Sequence, residues 1–343
     1  MTTEFDLFAD RCRDAIPAKY PGGEKNQASP LLESELTYIS QRGWHHAVVA
    51  VEELTKSLRG RGNPSRLIGS GCSSVINYLL SLSDVNPVKY RVHWQRFWVT
   101  ASQQVPTFQL STAGSEHAGS DVPVHVHLHT MTQVEAAAWK YHARFLASHY
   151  RDHDVYRSFC GKTTDAIFGF ESEDSREIAR QIQPQRLRDL ATITALTEIS
   201  TTHQDIVDGY LQNSTRRREV ESTRRRLLPR GPILFQEQVM SALRKNSGIL
   251  WEDTYRFVQT AARGNTDSVI RQATINAMSV RGFSETKALE VTEELEAASS
   301  YSVCFAHHLA NAITSYRSAY LDLHRSDRHA DLLPLQSAEA GKA

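Results

Sequence analysis

The chain has 343 residues, 40% of them hydrophobic and 23% charged, the composition of an ordinary globular protein with enough apolar surface for one large core or two smaller ones. Its 39 basic residues balance 39 acidic ones, which excludes the global positive field of a nucleic-acid binder, so nucleic acid is not expected as a partner and any basic surface must be local. Four scattered cysteines without CxxC spacing, an acidic segment Met1–Asp10 and the lack of any run of about 20 apolar residues point to a cytoplasmic protein with free thiols and no membrane contact.

Pro17, Pro21, Gly22, Gly23 and Pro30 make 17–30 read as loop, so residues 1–29 are expected to form an extension that is loose or held by a partner. Leu32, Leu36 and Ile39 keep helical spacing up to Gly43, and Ala47, Val51, Leu54 and Leu58 make a second helix that stops at Gly60-Arg61-Gly62. Arg66-Leu67-Ile68-Gly69-Ser70-Gly71-Cys72-Ser73-Ser74 then runs into an apolar helical pattern at Val75, Leu79 and Leu82. Such a loop presents backbone N–H groups at the start of a helix and favours an anion.

From Val99 to Thr130, short valine- and threonine-rich pieces broken by glycine and proline read as the sheet. Beyond Val134 the helical period returns, with Val134, Ala138, Tyr141 and Phe145 on one stripe and helices at about 186–213, 233–245, 251–262, 267–280, 285–299 and 306–324. The expected class is α+β, predominantly α-helical, with a small central sheet inside 30–133, a helical region at 134–325 and a polar tail at 326–343.

Several side chains carry possible chemistry. Arg61 and Arg66 add positive charge beside Gly69, Ser70, Gly71, Ser73 and Ser74. Val124-His125-Val126-His127-Leu128-His129 alternates, which on a strand sets three histidines on one face roughly 7 Å apart. That face is either half-exposed structure or a source of a base or an oxyanion ligand, and no further ligand for a metal is identifiable. His307 shares a polar stripe with Asn311, Thr314 and Ser318 opposite an apolar stripe of Leu309, Ile313, Tyr316 and Tyr320, as either a site residue or a solvent-facing one. Arg216, Arg217 and Arg218, followed by Arg224, Arg225 and Arg226, place six arginines within eleven residues, either a solvated face or a dock for an acidic partner.

The order of motifs resembles the bacterial C-family replicative polymerases, the DNA polymerase III alpha subunits. The resemblance covers about 30–325 and rests on the GSGxxS loop at Gly69–Ser74, Tyr78, Asp84-Val85-Asn86-Pro87-Val88-Lys89-Tyr90 and Gln95-Arg96-Phe97. It continues through Thr163–Ser172, Gln183–Leu190, Phe235-Gln236-Glu237-Gln238-Val239-Met240 and the helix Tyr301–His324. It implies a palm-like frame whose glycine loop holds an anionic leaving group, with Gln236 and Glu237 beside the substrate and Glu171, Glu237 and His307 as candidate acid–base groups.

The departures restrict the chemistry. Where that family carries its PDxDxD strand, this chain has Thr107, Gln109 and Ser111, and Val124 stands where a third aspartate is expected. Neutral side chains cannot hold two divalent ions about 3.5–4 Å apart, so no metal and no cofactor are expected and polymerase chemistry of that type is excluded. Ile68 replaces the arginine before the loop and Phe305-Ala306 the lysine–serine pair.

What the resemblance then implies is a metal-independent enzyme in which an internal nucleophile displaces sulfate or phosphate. The stand-alone, degenerate form is similar to the aziridine-forming, sulfate-eliminating enzymes of actinobacterial azabicyclic natural-product biosynthesis. Glu171, His307, His125 or His127 would act as base, the substrate would ride on an acidic carrier protein docked at the arginine triplets, and a smaller partner subunit would assist. The alternative is a catalytically inactive accessory that binds DNA or a nucleotide.

Overall fold

A computed structural model describes residues 3–99, 104–113, 122–140, 149–161, 166–217 and 232–324. The N-terminal segment read as loose is a helix, α1 (Glu4–Lys19), started by a reciprocal Thr3–Asp6 capping box and anchored by Phe8, Cys12 and Ile16 at helical spacing. After the glycine turn at Gly22, α2 (Lys25–Ser40) forms with Pro30 inside it, and α3 (His45–Gly60) ends at Gly62, whose φ of 82° needs a glycine. Pro17 and Pro30 therefore lie inside helices, and the expected loop at 17–30 shrinks to the turn that follows Pro21.

Arg66-Leu67-Ile68, read as the approach to a loop, is a strand: β1 (Ser65–Ile68). A 3-10 turn at Gly69–Ser73 connects it to α4 (Val75–Leu79), followed by α5 (Pro87–Tyr90), α6 (Gln95–Trp98), β2 (Phe108–Thr112), β3 (Val126–Thr130) and α7 (Gln133–Lys140). The sheet runs β1-β2-β3, antiparallel between β1 and β2 and parallel between β2 and β3. Its register places Arg66, Ser111 and His129 in one cross-strand row and Ile68, Gln109 and His127 in the next, all on one face because strand side chains alternate. Phe108 and Leu110 point the other way into a core with Phe97 and Trp98, where aromatic rings meet edge to face.

The helical part comprises α8 (His153–Ser158), α9 (Glu173–Ile182), α10 (Leu187–Ser200), α11 (Gln204–Arg217), α12 (Gln236–Ser247), α13 (Trp251–Ala261), α14 (Ser268–Val280), α15 (Glu285–Tyr301) and α16 (Phe305–His324). The expected class, helix-dominated with a small sheet, is the class found. Residues of α12–α15 close a second apolar core around Met240, Leu243, Phe257, Met278 and Leu295, separate from the core that joins α1–α4, the sheet, α10 and α16. Among the described residues no helix is long and apolar enough to cross a membrane.

The central element is α16, which packs against α10, α7, α8, β1 and the Gly69 turn. Its polar stripe is not solvent-facing: Thr314, Arg317 and Ser318 are buried, and His307 and Asn311 face the sheet. A buried helix start must find partners for its free N–H groups. Glu237, a candidate general base by sequence, is that partner: its carboxylate accepts from Phe305 N at 2.8 Å and Ala306 N at 3.2 Å, with Cys304 Sγ at 3.5 Å. The residue is 5% exposed and capping occupies both oxygens, so it is placed as a structural carboxylate. Glu237→Ala is expected to lower stability by about 2–4 kcal/mol, from the lost cap and the orphaned donors, as measured by urea denaturation.

Candidate functional site

Three features meet over the sheet face that carries Arg66, Gln109, Ser111, His127 and His129: the Gly69 turn, α7 and α16. Arg66 and Glu135 form a buried ion pair with Nη2–Oε1 at 2.7 Å and side chains 6% and 5% exposed. Glu135 also accepts from Arg66 Nε and from Ser111 Oγ, each at 2.9 Å, and its own N–H is capped by Thr132. Arg66 Nη2 reaches Asn311 Oδ1 at 3.2 Å, while Nη1 is buried with no hydrogen-bond partner.

His307 joins this network from α16. Gly69 N–H donates to His307 Nδ1 at 3.0 Å, and His307 Nε2 lies 3.0 Å from Asn311 Nδ2. Asn311 thus gives its amide oxygen to Arg66 Nη2 and turns its Nδ2 toward His307 Nε2. Burial, then the nearby His308 and Arg66, lower the His307 pKa to about 4 and keep the ring uncharged. Both of its nitrogens are engaged inside the network, which makes it a positioning group rather than a free base.

The loop expected to hold a substrate anion is filled from within, by a carboxyl group of the protein itself. Glu35, 0% exposed on α2, accepts from Ser74 Oγ, from Trp98 Nε1 and from Val75 N at 2.9 Å. Ser73 Oγ turns inward to Ser70 O at 2.7 Å, and Asn77 Nδ2 closes on Gly71 O at 2.9 Å. Gly69 has φ of 71°, and a Cβ there would stand 2.5 Å from Gln109 Oε1, so the turn lies hard against β2. The donors at Ser74 and Val75 are consequently filled from within. The signal for Glu35 was available in the sequence: it interrupts the Leu32, Leu36 and Ile39 stripe, a charge on an apolar face. Glu135 had no such signal, because its partner Arg66 is 69 residues away.

The three histidines do not share a face. His125 lies in the turn before β3, where its Nε2 meets Ala47 O at 3.2 Å and its ring packs against Phe108. His127 and His129 do share one, with ring centroids 4.6 Å apart. His127 is exposed, whereas burial and then the His127 charge lower the His129 pKa, and His129 Nε2 is buried without a partner. Glu171 is exposed; its carboxylate accepts from Gly169 N at 3.1 Å and its carbonyl from Arg176 Nη1 at 3.2 Å, contacts outside the network. Gln236 is structural: it accepts from Arg96 Nε at 2.9 Å and Nη2 at 2.6 Å and donates to Ser302 O, tying α6 to α12. Arg216 and Arg217 end α11, their side chains outside what the structure describes, and Arg218, Arg224, Arg225 and Arg226 lie outside the described residues.

The positions where two metal ions would be held do not fit them. Gln109 and Ser111 are neutral, and the carboxylate that Ser111 touches, Glu135, is already neutralised by a guanidinium. Among the described residues no group of three or more His, Cys, Asp or Glu side chains is arranged to hold a metal ion.

Two buried groups give this region opposing pH responses. Burial pushes Glu35 up to about 7 from 4.5, against the pull of its hydrogen bonds, so its stabilising contribution is full below about 4.5 and is lost as pH rises through 7. His307, lowered from 6.5 to about 4, contributes fully above about 6.5 and loses that contribution as pH falls toward 4. Between these limits the slopes oppose each other. Denaturation across pH 4.5–6.5 is expected to show stability rising more steeply with pH in Glu35→Gln than in the parent, and the reverse in His307→Gln; equal slopes in all three proteins would refute the assignment.

Comparison with known proteins agrees with the order of these elements. Residues 6–118 match the bacterial DNA polymerase III alpha NTPase domain and residues 128–290 match the bacterial DNA polymerase III alpha subunit finger domain. DNA polymerase III subunit alpha of Aquifex aeolicus is 27% identical over 180 residues, 50% of this chain and 16% of that protein. The error-prone DNA polymerase of Symbiobacterium thermophilum is 27% identical over 166 residues, 46% of this chain and 15% of its own length. The Vibrio cholerae DNA polymerase III subunit alpha is 22% identical over 342 residues, 92% of this chain and 28% of that protein. The chain therefore spans less than a third of the length of these relatives. Two consecutive family regions and a sheet flanked by the matching turn and helix lead to one conclusion: this chain is a relative of the bacterial DNA polymerase III alpha subunit.

Proposed function

We propose that the chain is a biosynthetic enzyme that uses its polymerase III alpha-like frame, without the two-metal site, to displace sulfate or phosphate from a small molecule. The observation that carries this reading is the pair of buried, unpartnered nitrogens in one cross-strand row, Arg66 Nη1 and His129 Nε2. A buried polar nitrogen without a partner is costly; a bound oxyanion would accept from Arg66 Nη1, and a substrate amine would donate to His129 Nε2. Arg66, not the Gly69–Ser74 backbone, is then the anion holder, and it is fixed in place by Glu135 and Asn311.

In the aziridine-forming version, the amine nitrogen of the substrate attacks the adjacent carbon that carries the sulfate ester. The C–N bond forms as the C–O bond breaks, the electron pair leaves with sulfate, and the amine proton passes to neutral His129 Nε2. Arg66 Nη1 faces the departing oxygens as their charge grows. An acidic carrier protein and a smaller partner subunit belong to this reading, with the arginine-rich stretch 216–226 as their contact.

A second reading, a DNA- or nucleotide-binding accessory without chemistry, is favoured by the kinship with DNA polymerase subunits. That kinship removes the argument from zero net charge against nucleic acid, because phosphate contacts are made by local basic surface. The cytoplasm suits either reading.

The experiment is sulfate release from a vicinal amino sulfate ester, followed by ion chromatography. His129→Gln is expected to lower the rate by about 10²–10⁴-fold with the fold intact by circular dichroism, while Glu171→Ala leaves it unchanged. Full activity in His129→Gln would defeat the assignment of the base. No release by the parent protein, together with a salt-dependent gel shift of labelled DNA, would favour the accessory.

A further inference from the structure

A second concave site lies between α5 and the start of α10, a cavity of about 400 Å³ whose walls include Lys89, Tyr90, Arg91, Tyr156, Arg186 and Arg188. Tyr150 completes the aromatic side. It stands about 15 Å from His307, judged from the ten residues of α16 between His307 and Arg317, whose Nε donates to Tyr150 OH at 2.9 Å. We propose that this cavity binds a small phosphate or sulfate monoester with a flat or apolar body, the anion on the arginines and the body against the tyrosines.

Charge is the first support. Four cations line the cavity, and among the described residues the carboxylate that forms an ion pair with one of them is Asp189, 3.0 Å from Arg186 Nε. Glu24, bound to Asn86 at 3.1 Å, acts on Tyr90, and Asp84, paired with Arg317 at 2.6 Å, acts on Tyr150. Arg188 is anchored by Tyr90 O at 3.2 Å and lies 4.9 Å over the Phe305 ring. Burial, then repulsion from Arg186 and Arg91, hold its pKa below the ordinary value, the response of a cationic cluster short of counter-charge. A bound oxyanion relieves that repulsion, and guanidinium forks match its oxygens.

Backbone strain is the second support. Arg91 sits in the left-handed region at φ 54°, where a non-glycine residue costs about 1 kcal/mol or more. Glycine would remove the strain, yet the position carries a long cation aimed at the cavity rim. Gln183, at φ 51°, lines an adjoining cavity of about 520 Å³ that shares the Tyr156 wall and adds His153 and Arg157. The aromatic side is rigid: Tyr156 OH donates to Tyr150 O at 3.0 Å, and both rings pack on Tyr316. A volume of 400 Å³ falls in the range of ligand pockets for small molecules and is too small to enclose a polymer.

This inference stands apart from the sheet-face reading and is tested separately on the full chain. Isothermal titration with adenosine 5′-monophosphate and with 4-nitrophenyl sulfate is expected to show saturable binding by one or both, which tells a phosphate source from a sulfate source. Affinity should fall at least tenfold in Arg91→Ala/Arg186→Ala, whose side chains are exposed and outside the core, and should fall with added salt. It should be unchanged in Lys25→Ala/Arg263→Ala, which removes the same charge elsewhere, and in His129→Gln. Equal affinity in Arg91→Ala/Arg186→Ala, loss in His129→Gln instead, or a tenfold preference for an oligothymidylate over the monoesters would overturn it.

Discussion

The buried Arg66–Glu135 ion pair is the constraint around which the sheet face is arranged. Removing two charges from water costs more than their mutual attraction returns unless their remaining hydrogen-bonding groups are also satisfied. Ser111, Asn311 and Thr132 supply those partners on this side, and through Asn311 the demand extends to His307 and the Gly69 turn. One nitrogen, Arg66 Nη1, escapes this satisfaction, as does His129 Nε2 in the same row. Other buried side chains, Tyr20 and Trp94 among them, also lack a hydrogen-bond partner, but these two nitrogens lie in one row of the sheet face beside a buried ion pair, which makes that face the place to look for a ligand.

The same physics is used twice at helix starts. Free N–H groups at a helix start need an acceptor, and here a glutamate remote in sequence provides it: Glu35 at α4 and Glu237 at α16. In each case the carboxylate binds two elements together as well as ending the helix. This explains why a glycine–serine loop with all the features of an external anion site has its Ser74 and Val75 donors filled internally, and why a glutamate in a motif-like setting is a cap.

Much of the fold was legible because hydrophobic period survives in the sequence. The Leu32–Ile39 and Ala47–Leu58 helices, the helices beyond 233 and the presence of a small sheet follow from spacing, whereas the helix expected at 186–213 is two, α10 and α11, parted at 201–203. Errors arose where a local signal was overridden: Pro17 and Pro30 lie inside helices held by packing, and Arg66-Leu67-Ile68 becomes a strand because Ser111 and its neighbours pair with it across the sheet. His125 left the histidine face because β3 begins one residue later, in a turn geometry that the alternating pattern does not encode.

The sequence alone determined the class of fold, the order of its motifs and the neutral residues Thr107, Gln109 and Ser111 where metal-binding carboxylates would be needed. These are properties of residue identity and local period. Only the tertiary structure decided which charges meet: that Glu35 fills the glycine loop, that Glu135 neutralises Arg66, that the polar stripe of α16 faces inward, and that Lys89, Arg91, Arg186 and Arg188 surround one cavity. The reason is physical, since electrostatic pairing depends on distance in space, and partners 69 or 98 residues apart leave no trace in local sequence.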